Sequence, residues 1–233
     1  MVIYIQGGVD VRKILALILI ITLSLSLLVF SLEYNTYDKS YYLNSYEKYG
    51  VPETSGKNMA ELEIITEDLI DYIKGNGGNE LLDQHFNEKE VLHMEDVVDL
   101  FDYARIIKYV SIVLALLIIV YFIAKKMYLY LAKILSLGLF LNHGLIIFLI
   151  IIVSTDFNKY FNIFHEIFFS NDLWLLNPKT DLMIQMLPQA FFSTIGLRIG
   201  LLFLVFLSII QMGAYLYIRK GANYGGKIRK IKE

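Results

Sequence analysis

Two histidines carry the side chains best suited to moving protons near neutral pH: His93 in F-N-E-K-E-V-L-H-M-E-D-V and His165 in F-N-I-F-H-E-I-F-F. Two apolar stretches separate them along the chain. A chain that crosses a membrane twice returns to the face it left, so the pair can meet in one interfacial pocket. That arrangement suits acid–base chemistry on a lipid-linked substrate. Glu90, His93 and Asp96 are spaced by three and share a helix face. A carboxylate beside an imidazole holds its tautomer and favours its charged form. Phe161, His165 and Phe168 also fall on one helical face, with Glu166 next in sequence to His165.

Taken singly, each histidine has a plainer reading. His93 alone is a surface histidine, and His165 among phenylalanines is a structural, hydrogen-bonded one. The functional reading comes from the pair on one membrane face. A metal site built from His93, Asp96, His165 and Glu166 is the nearest rival. Neither H-M-E-D nor H-E-I-F-F supplies the second histidine of an H-E-x-x-H helix, so no metal or other cofactor is expected. His143, beside Asn142 inside an apolar stretch, is an intramembrane ionisable residue, and a hydrogen bond between helices explains it. His85 lies in a polar loop and is expected to be solvated. The chain has no cysteine, which excludes disulfides, thiolate catalysis and thiolate ligation. It shows no nucleophile elbow, P-loop or dinucleotide fingerprint.

The elements that must position these residues follow from hydropathy. The chain is 56% hydrophobic with a mean hydropathy of +0.54, too apolar for a soluble domain. Spans are expected at about 14–32, 106–124, 134–154 and 199–218, each near the ~20 residues that cross the hydrocarbon core as helix. Lys108 near the start of the second is expected to snorkel, and Gln211 in the fourth to find an interhelical partner. The fold class is therefore an all-α integral membrane protein with four transmembrane helices. The first span reads as uncleaved, because its apolar run exceeds a signal-peptide core and no A-x-A site follows.

Arg12 and Lys13 precede the first span, Lys125, Lys126 and Lys133 link the second and third, and Arg219, Lys220, Lys227, Arg229, Lys230 and Lys232 follow the fourth. The positive-inside rule places these groups and both termini in the cytoplasm. Residues 33–105 then form a small extracytoplasmic helical subdomain with 17 acidic and 6 basic residues. Its tyrosines (Tyr34, Tyr37, Tyr41, Tyr42, Tyr46, Tyr49) suit an interface anchor. Asn58 with Glu61 and Asn87 with Glu90 read as capping boxes, the first opening a helix over about 59–74 that Gly75 ends. Residues 155–198 carry nine aromatics and only seven charges, the composition of an interfacial or re-entrant segment. Asn177-Pro178 reads as a helix start, and Pro188 limits that helix.

At these residues the chain resembles the lipoprotein intramolecular transacylase family of low-GC Gram-positive bacteria. The likeness rests on Phe86 and Glu90 ahead of His93-Met94-x-Asp96-Val97, and on Phe161-x-x-Phe164-His165-x-x-Phe168-Phe169. It continues with Asn171, Trp174, Pro178, Asp181 and Pro188-x-x-Phe191-Phe192, and with Tyr42, Tyr46, Tyr49 and Ser55-Gly56 upstream. The resemblance implies an acyltransferase of the cell membrane that moves the sn-2 acyl chain of a diacylglyceryl-modified lipoprotein to the α-amino group of its N-terminal cysteine. It implies His93 and His165 as the acid–base groups, supported by Glu90, Asp96 and Glu166, with Phe168, Phe169 and Trp174 lining the acyl path. The partners expected are that lipoprotein, as substrate, and membrane lipid, with no nucleic acid, and the enzyme is expected to be a monomer. Two other readings remain open on the residues alone: a non-enzymatic membrane sensor or assembly partner, and a lipid-ester hydrolase that uses water as acceptor.

Overall fold

The computed structural model describes residues 10–231; of residues 222–231 only the helical backbone is described. The basic side chains Lys227, Arg229 and Lys230, and Lys232 beyond them, lie outside the described residues, as do both chain ends. Ten α-helices follow in order: α1 (Val11–Thr36), α2 (Lys39–Tyr49), α3 (Val51–Ser55), α4 (Met59–Lys74), α5 (Glu88–Ala124), α6 (Tyr128–Gly138), α7 (Phe140–Thr155), α8 (Phe157–Phe168), α9 (Leu182–Met186) and α10 (Gln189–Ile231). Among the described residues, four stretches are long and apolar enough to cross a membrane: Val11–Thr36, Glu88–Ala124, Tyr128–Thr155 and Gln189–Gly221. Contacts group the chain into two units, one of Met1–Leu28, Ile107–Ile146 and Phe203–Glu233, the other of Val29–Ile106 and Ile147–Leu202.

The first unit is built from helices whose polar side chains are turned back on backbone or on each other, as an apolar environment demands. Thr22 and Ser24 return their hydroxyls to the carbonyls of Ile18 and Ile20. The third span is not continuous: α6 ends at Gly138 and α7 begins at Phe140. Gly138 permits a close approach, since a Cβ there would stand 2.1 Å from Ile20 Cδ1. Leu19, Phe122 and Ile134 form one buried cluster, and Leu139, Phe203 and Leu207 another. His143 joins two helices, with Nδ1 3.0 Å from the Leu139 carbonyl and Nε2 3.1 Å from Ser208 Oγ. Asn142 donates to Ser24 Oγ at 2.6 Å and Gln211 to the Ser136 carbonyl at 3.1 Å. Lys108, expected to snorkel, is buried, its Nζ 4.6 Å from the centre of the Tyr109 ring.

The second unit has its own apolar core, centred on Tyr42, Tyr46, Leu62, Leu69, Met186 and Phe191. Helix α4 matches its sequence signals in detail. The Asn58 side chain accepts from Ala60 and Glu61 N–H, Glu61 accepts from Asn58 N–H, and Gly75 at φ +81° closes the helix. The tyrosine run is core rather than an interface anchor. Tyr41, Tyr42 and Tyr46 are buried on α2, and each hydroxyl is satisfied inside the unit: Tyr41 by the Phe191 carbonyl, Tyr42 by the Thr36 carbonyl, Tyr46 by Thr66. Among these tyrosines Tyr34 stands exposed. His85 is not free in solvent, because its Nε2 lies 2.7 Å from Asp68 Oδ2. Asn177-Pro178 opens only a turn, closed by Thr180 and Asp181 N–H on the Asn177 carbonyl. The helix proper begins at Leu182 and ends before Pro188.

Candidate active site

His93 rides on the second turn of α5. Its helix is started by the second capping box: the Glu90 carboxylate takes the Asn87 N–H at 2.9 Å and the Asn87 side chain takes the Glu90 N–H at 3.1 Å. The other Glu90 oxygen accepts the Met183 N–H at 2.6 Å. Glu90 is 1% exposed. Burial pushes its carboxyl above the usual carboxylate range, against the pull of those two N–H donors. Sharing a face with His93 suggested that Glu90 tunes the imidazole. Its oxygens instead serve the backbone, tying the start of α5 to the start of α9.

His165 is the inward residue of α8, an amphipathic helix whose other apolar side chains Ile163, Phe164, Ile167 and Phe168 are exposed. Phe168 therefore points away from the histidine face expected for it, and Phe169, 8% exposed, takes the inner place. The Phe169 ring lies 5.3 Å from His93 and 5.5 Å from His165. The two imidazoles are 6.1 Å apart, centre to centre. His165 is further walled by Phe161 at 4.3 Å and by Trp174, stacked at 4.8 Å and 28°.

The hydrogen bonds of the two rings differ. His165 Nδ1 lies 2.7 Å from the Phe161 carbonyl, one turn back on its own helix. A carbonyl only accepts, so that nitrogen carries the proton and Nε2 is left with its lone pair. Among the described residues, His93 Nδ1 is buried with no partner. Burial, with His165 next in effect, pushes the His93 imidazole down to about 4; Asp96 opposes this and Lys89 adds to it. Burial likewise lowers His165, the Phe161 carbonyl working the other way. Both rings are thus neutral at pH 7.

The segment between α8 and α9 is laced to α5 by contacts that no local sequence signal announces. Asn171 donates to Asp96 at 2.9 Å, Lys89 to the Leu175 carbonyl at 2.6 Å, and Asn87 to Asp181 at 3.3 Å. Glu166 is exposed on α8 and makes no hydrogen bond or ion pair among the described residues. No group of three or more histidines and carboxylates converges as a metal cage among the described residues.

Comparison with known proteins agrees with this architecture. Solved structures of the membrane integral lipoprotein intramolecular transacylase Lit from Bacillus cereus share the fold. One superposes with a TM-score of 0.80 at 24% identity, covering 92% of this chain and 98% of the other. A second, carrying a histidine-to-arginine mutation, gives 0.77 at 24% identity over 92% and 95%. Among curated proteins none matches. The model of the family described as lipoprotein intramolecular transacylase Lit matches residues 17–192, three quarters of the sequence, and the chain belongs to that family of membrane transacylases.

Proposed function

We propose that this transacylase moves the sn-2 acyl chain of a diacylglyceryl-modified lipoprotein onto the α-amino group of its N-terminal cysteine, with His165 as general base and His93 as a neutral hydrogen-bond donor. The observation that carries the division of labour is the contrast between the two Nδ1 atoms. His165 Nδ1 is committed to a carbonyl, which leaves a lone pair on Nε2. His93 Nδ1 is buried without a partner. An orphaned N–H is rarer and costlier than an orphaned acceptor, so the His93 proton belongs on Nε2. One ring therefore offers an acceptor and the other a donor.

The reaction needs both. The amine attacks the ester carbonyl through a roughly eight-membered ring, so holding the lipid folded supplies part of the rate. As the C–N bond forms, His165 Nε2 takes the proton shed by nitrogen. The tetrahedral oxyanion accepts from His93 Nε2–H. A ring with a value near 4 stays neutral and acts as a donor without surrendering its proton. When the C–O bond breaks, the His165 imidazolium gives the proton to the departing glycerol oxygen. One proton has moved from nitrogen to oxygen, and both rings return to their starting state. No acyl-enzyme is formed. Acyl chains reach the site along the exposed face of α8, past Phe164 and Phe168, with Phe169 as the wall between the rings.

Mass spectrometry of a lipoprotein N-terminus, with and without the enzyme, tests this reading. The expected product is lyso-lipid with the acyl group on the amine. Free fatty acid with an unmodified amine would assign a hydrolase instead. The positive-inside rule applied to the basic links supports a site on the outer face with the termini inside. The chain has no cysteine, so single cysteines at the exposed positions Lys48, Lys126 and Lys179 can be tested with an impermeant reagent. Labelling is expected at the first and third in intact cells, and labelling at the second would reverse the orientation.

A further inference from the structure

Trp174 sits at the wrong place for a simple acyl wall, because one face of its indole is already covered. It lies over the His165 ring at 4.8 Å and 28°, close to parallel. Phe161 closes on the same imidazole at 4.3 Å. A cation within about 6 Å of an aromatic face is attracted by the ring quadrupole, and indole is the strongest of the natural platforms. His165 is neutral at rest and becomes a cation only after it has taken the amine's proton.

The platform is held from α5, the helix that carries His93. Lys89 grips the Leu175 carbonyl at 2.6 Å, Asp96 takes Asn171 Nδ2 at 2.9 Å, and the Asn171 side chain in turn takes the Leu173 N–H at 3.0 Å. The Trp174 carbonyl accepts from Leu176 N–H. An irregular segment is thus pinned on both sides of one half-buried indole. Apolar lining of a lipid path does not require such fixing, whereas a stacked platform for one ring does.

We infer that Trp174 is a positioning residue for the proton step, its indole face holding the His165 ring and stabilising the imidazolium formed as the amine is deprotonated. The inference rests on His165 being the proton acceptor. An interaction that exists only once the charge has formed raises kcat and leaves KM alone. His93 on α5 faces the ring, Glu166 follows it on α8, and Lys89 and Asp96 act on His93; a change confined to the indole alters none of them.

Trp174 is the chain's single tryptophan, so biosynthetic replacement with fluorinated tryptophans modifies this site alone. The full chain in detergent micelles, with a diacylglyceryl lipopeptide as substrate, is compared for indole, 5-fluoroindole and 5,6,7-trifluoroindole at position 174. Fluorine weakens the platform with little change of shape. The expected result is a stepwise fall in kcat, about tenfold across the series, with KM constant to about twofold. Nitrogen-15 spectra should show the His165 titration moving down by about one unit, the shift equivalent to that tenfold change. In His165→Ala the residual rate should no longer respond to fluorination.

If kcat and the His165 titration hold constant across the series while His165→Ala is inactive, the inference fails and the base assignment stands. A change in KM or chain-length preference with an unmoved titration makes Trp174 an acyl wall and overturns it as well. Full activity in His165→Ala, by contrast, removes the base assignment itself.

Discussion

The interior of the first unit and the histidine site of the second treat the same side chain in opposite ways. His143 has both ring nitrogens engaged, one on the Leu139 carbonyl and one on Ser208. Its neighbours Asn142 and Gln211 are each bonded to another helix. At the site, among the described residues, His93 Nδ1 has no partner, and the one hydrogen bond of the His165 ring is made by Nδ1. A buried polar group with every valence satisfied fixes helices together. One left unsatisfied costs stability and survives where something else uses it. Residue type does not separate these cases. Hydrogen-bond completeness does.

The sharpest way to break this comparison is to remove the rings. His165→Ala should lower kcat/KM by about 10²–10⁴, the range for a positioned base, and His93→Ala by about 10²–10³, the range for an oxyanion donor. Both proteins should still insert, because neither residue lies in the apolar part of a span. If the rings serve one transition state, the double variant should be little worse than the worse single one. An inserted His93→Ala/His165→Ala protein that converts substrate at a near-normal rate would place these rings in the same structural class as His143.

pH separates the two classes next. His165 must be neutral to act, and its value is depressed by burial. The rate should therefore rise with pH through the substrate ammonium, near ~7.7–8, with the histidine limb displaced below 6.5. His93 adds a stability signal. A histidine depressed in the folded state binds its proton more readily when unfolded. Its contribution is thus complete above the unfolded value of 6.5 and lost as pH falls through about 4. Thermal melting in micelles should drop over that window and flatten in His93→Gln. A flat profile for the unaltered protein would mean that the ring is solvated.

Much of this was legible from sequence because it is local. Apolar runs of spanning length, two capping boxes and the stop at Gly75 all depend on residues within a few positions of one another. The pairing of His93 with His165 was readable only through the membrane, which returns two distant segments to one face. What escaped was long-range. Glu90 looked like a partner for His93 because helical spacing shows one neighbour, whereas its second oxygen meets the N–H of Met183 far along the chain. The tyrosines read as an interface belt because density at a span end has that meaning on average, and only packing shows three of them capped inside a core. The close approach of Ile20 to Gly138, beside the break at Leu139, is something no pattern within the third span reveals.

On the structural side of the comparison the effects should be smaller and of another kind. His143→Ala removes two hydrogen bonds within the span region and should cost about 1–2 kcal/mol of stability, read from melting in micelles, with kcat unchanged. A loss of rate without loss of stability would mean that the polar layer reaches the chemistry.

The smallest effect is expected at Gln211. Among the described residues, its side chain makes one bond, 3.1 Å to the Ser136 carbonyl. That carbonyl lies within α6, two residues before the helix ends at Gly138. In a membrane the unfolded reference also finds partners for such groups, so the net value of one interhelical bond averages only about 0.6 kcal/mol. Gln211→Leu keeps the volume, removes the polar head and leaves the Ser136 carbonyl to its own helix. Its melting temperature should move by no more than a few degrees, about what 0.6 kcal/mol gives at this chain length, and its turnover should equal that of the unaltered enzyme. A variant as slow as His165→Ala but fully stable would show that a satisfied hydrogen bond is no guide to a structural role here, and the distinction drawn between the two units would fall with it.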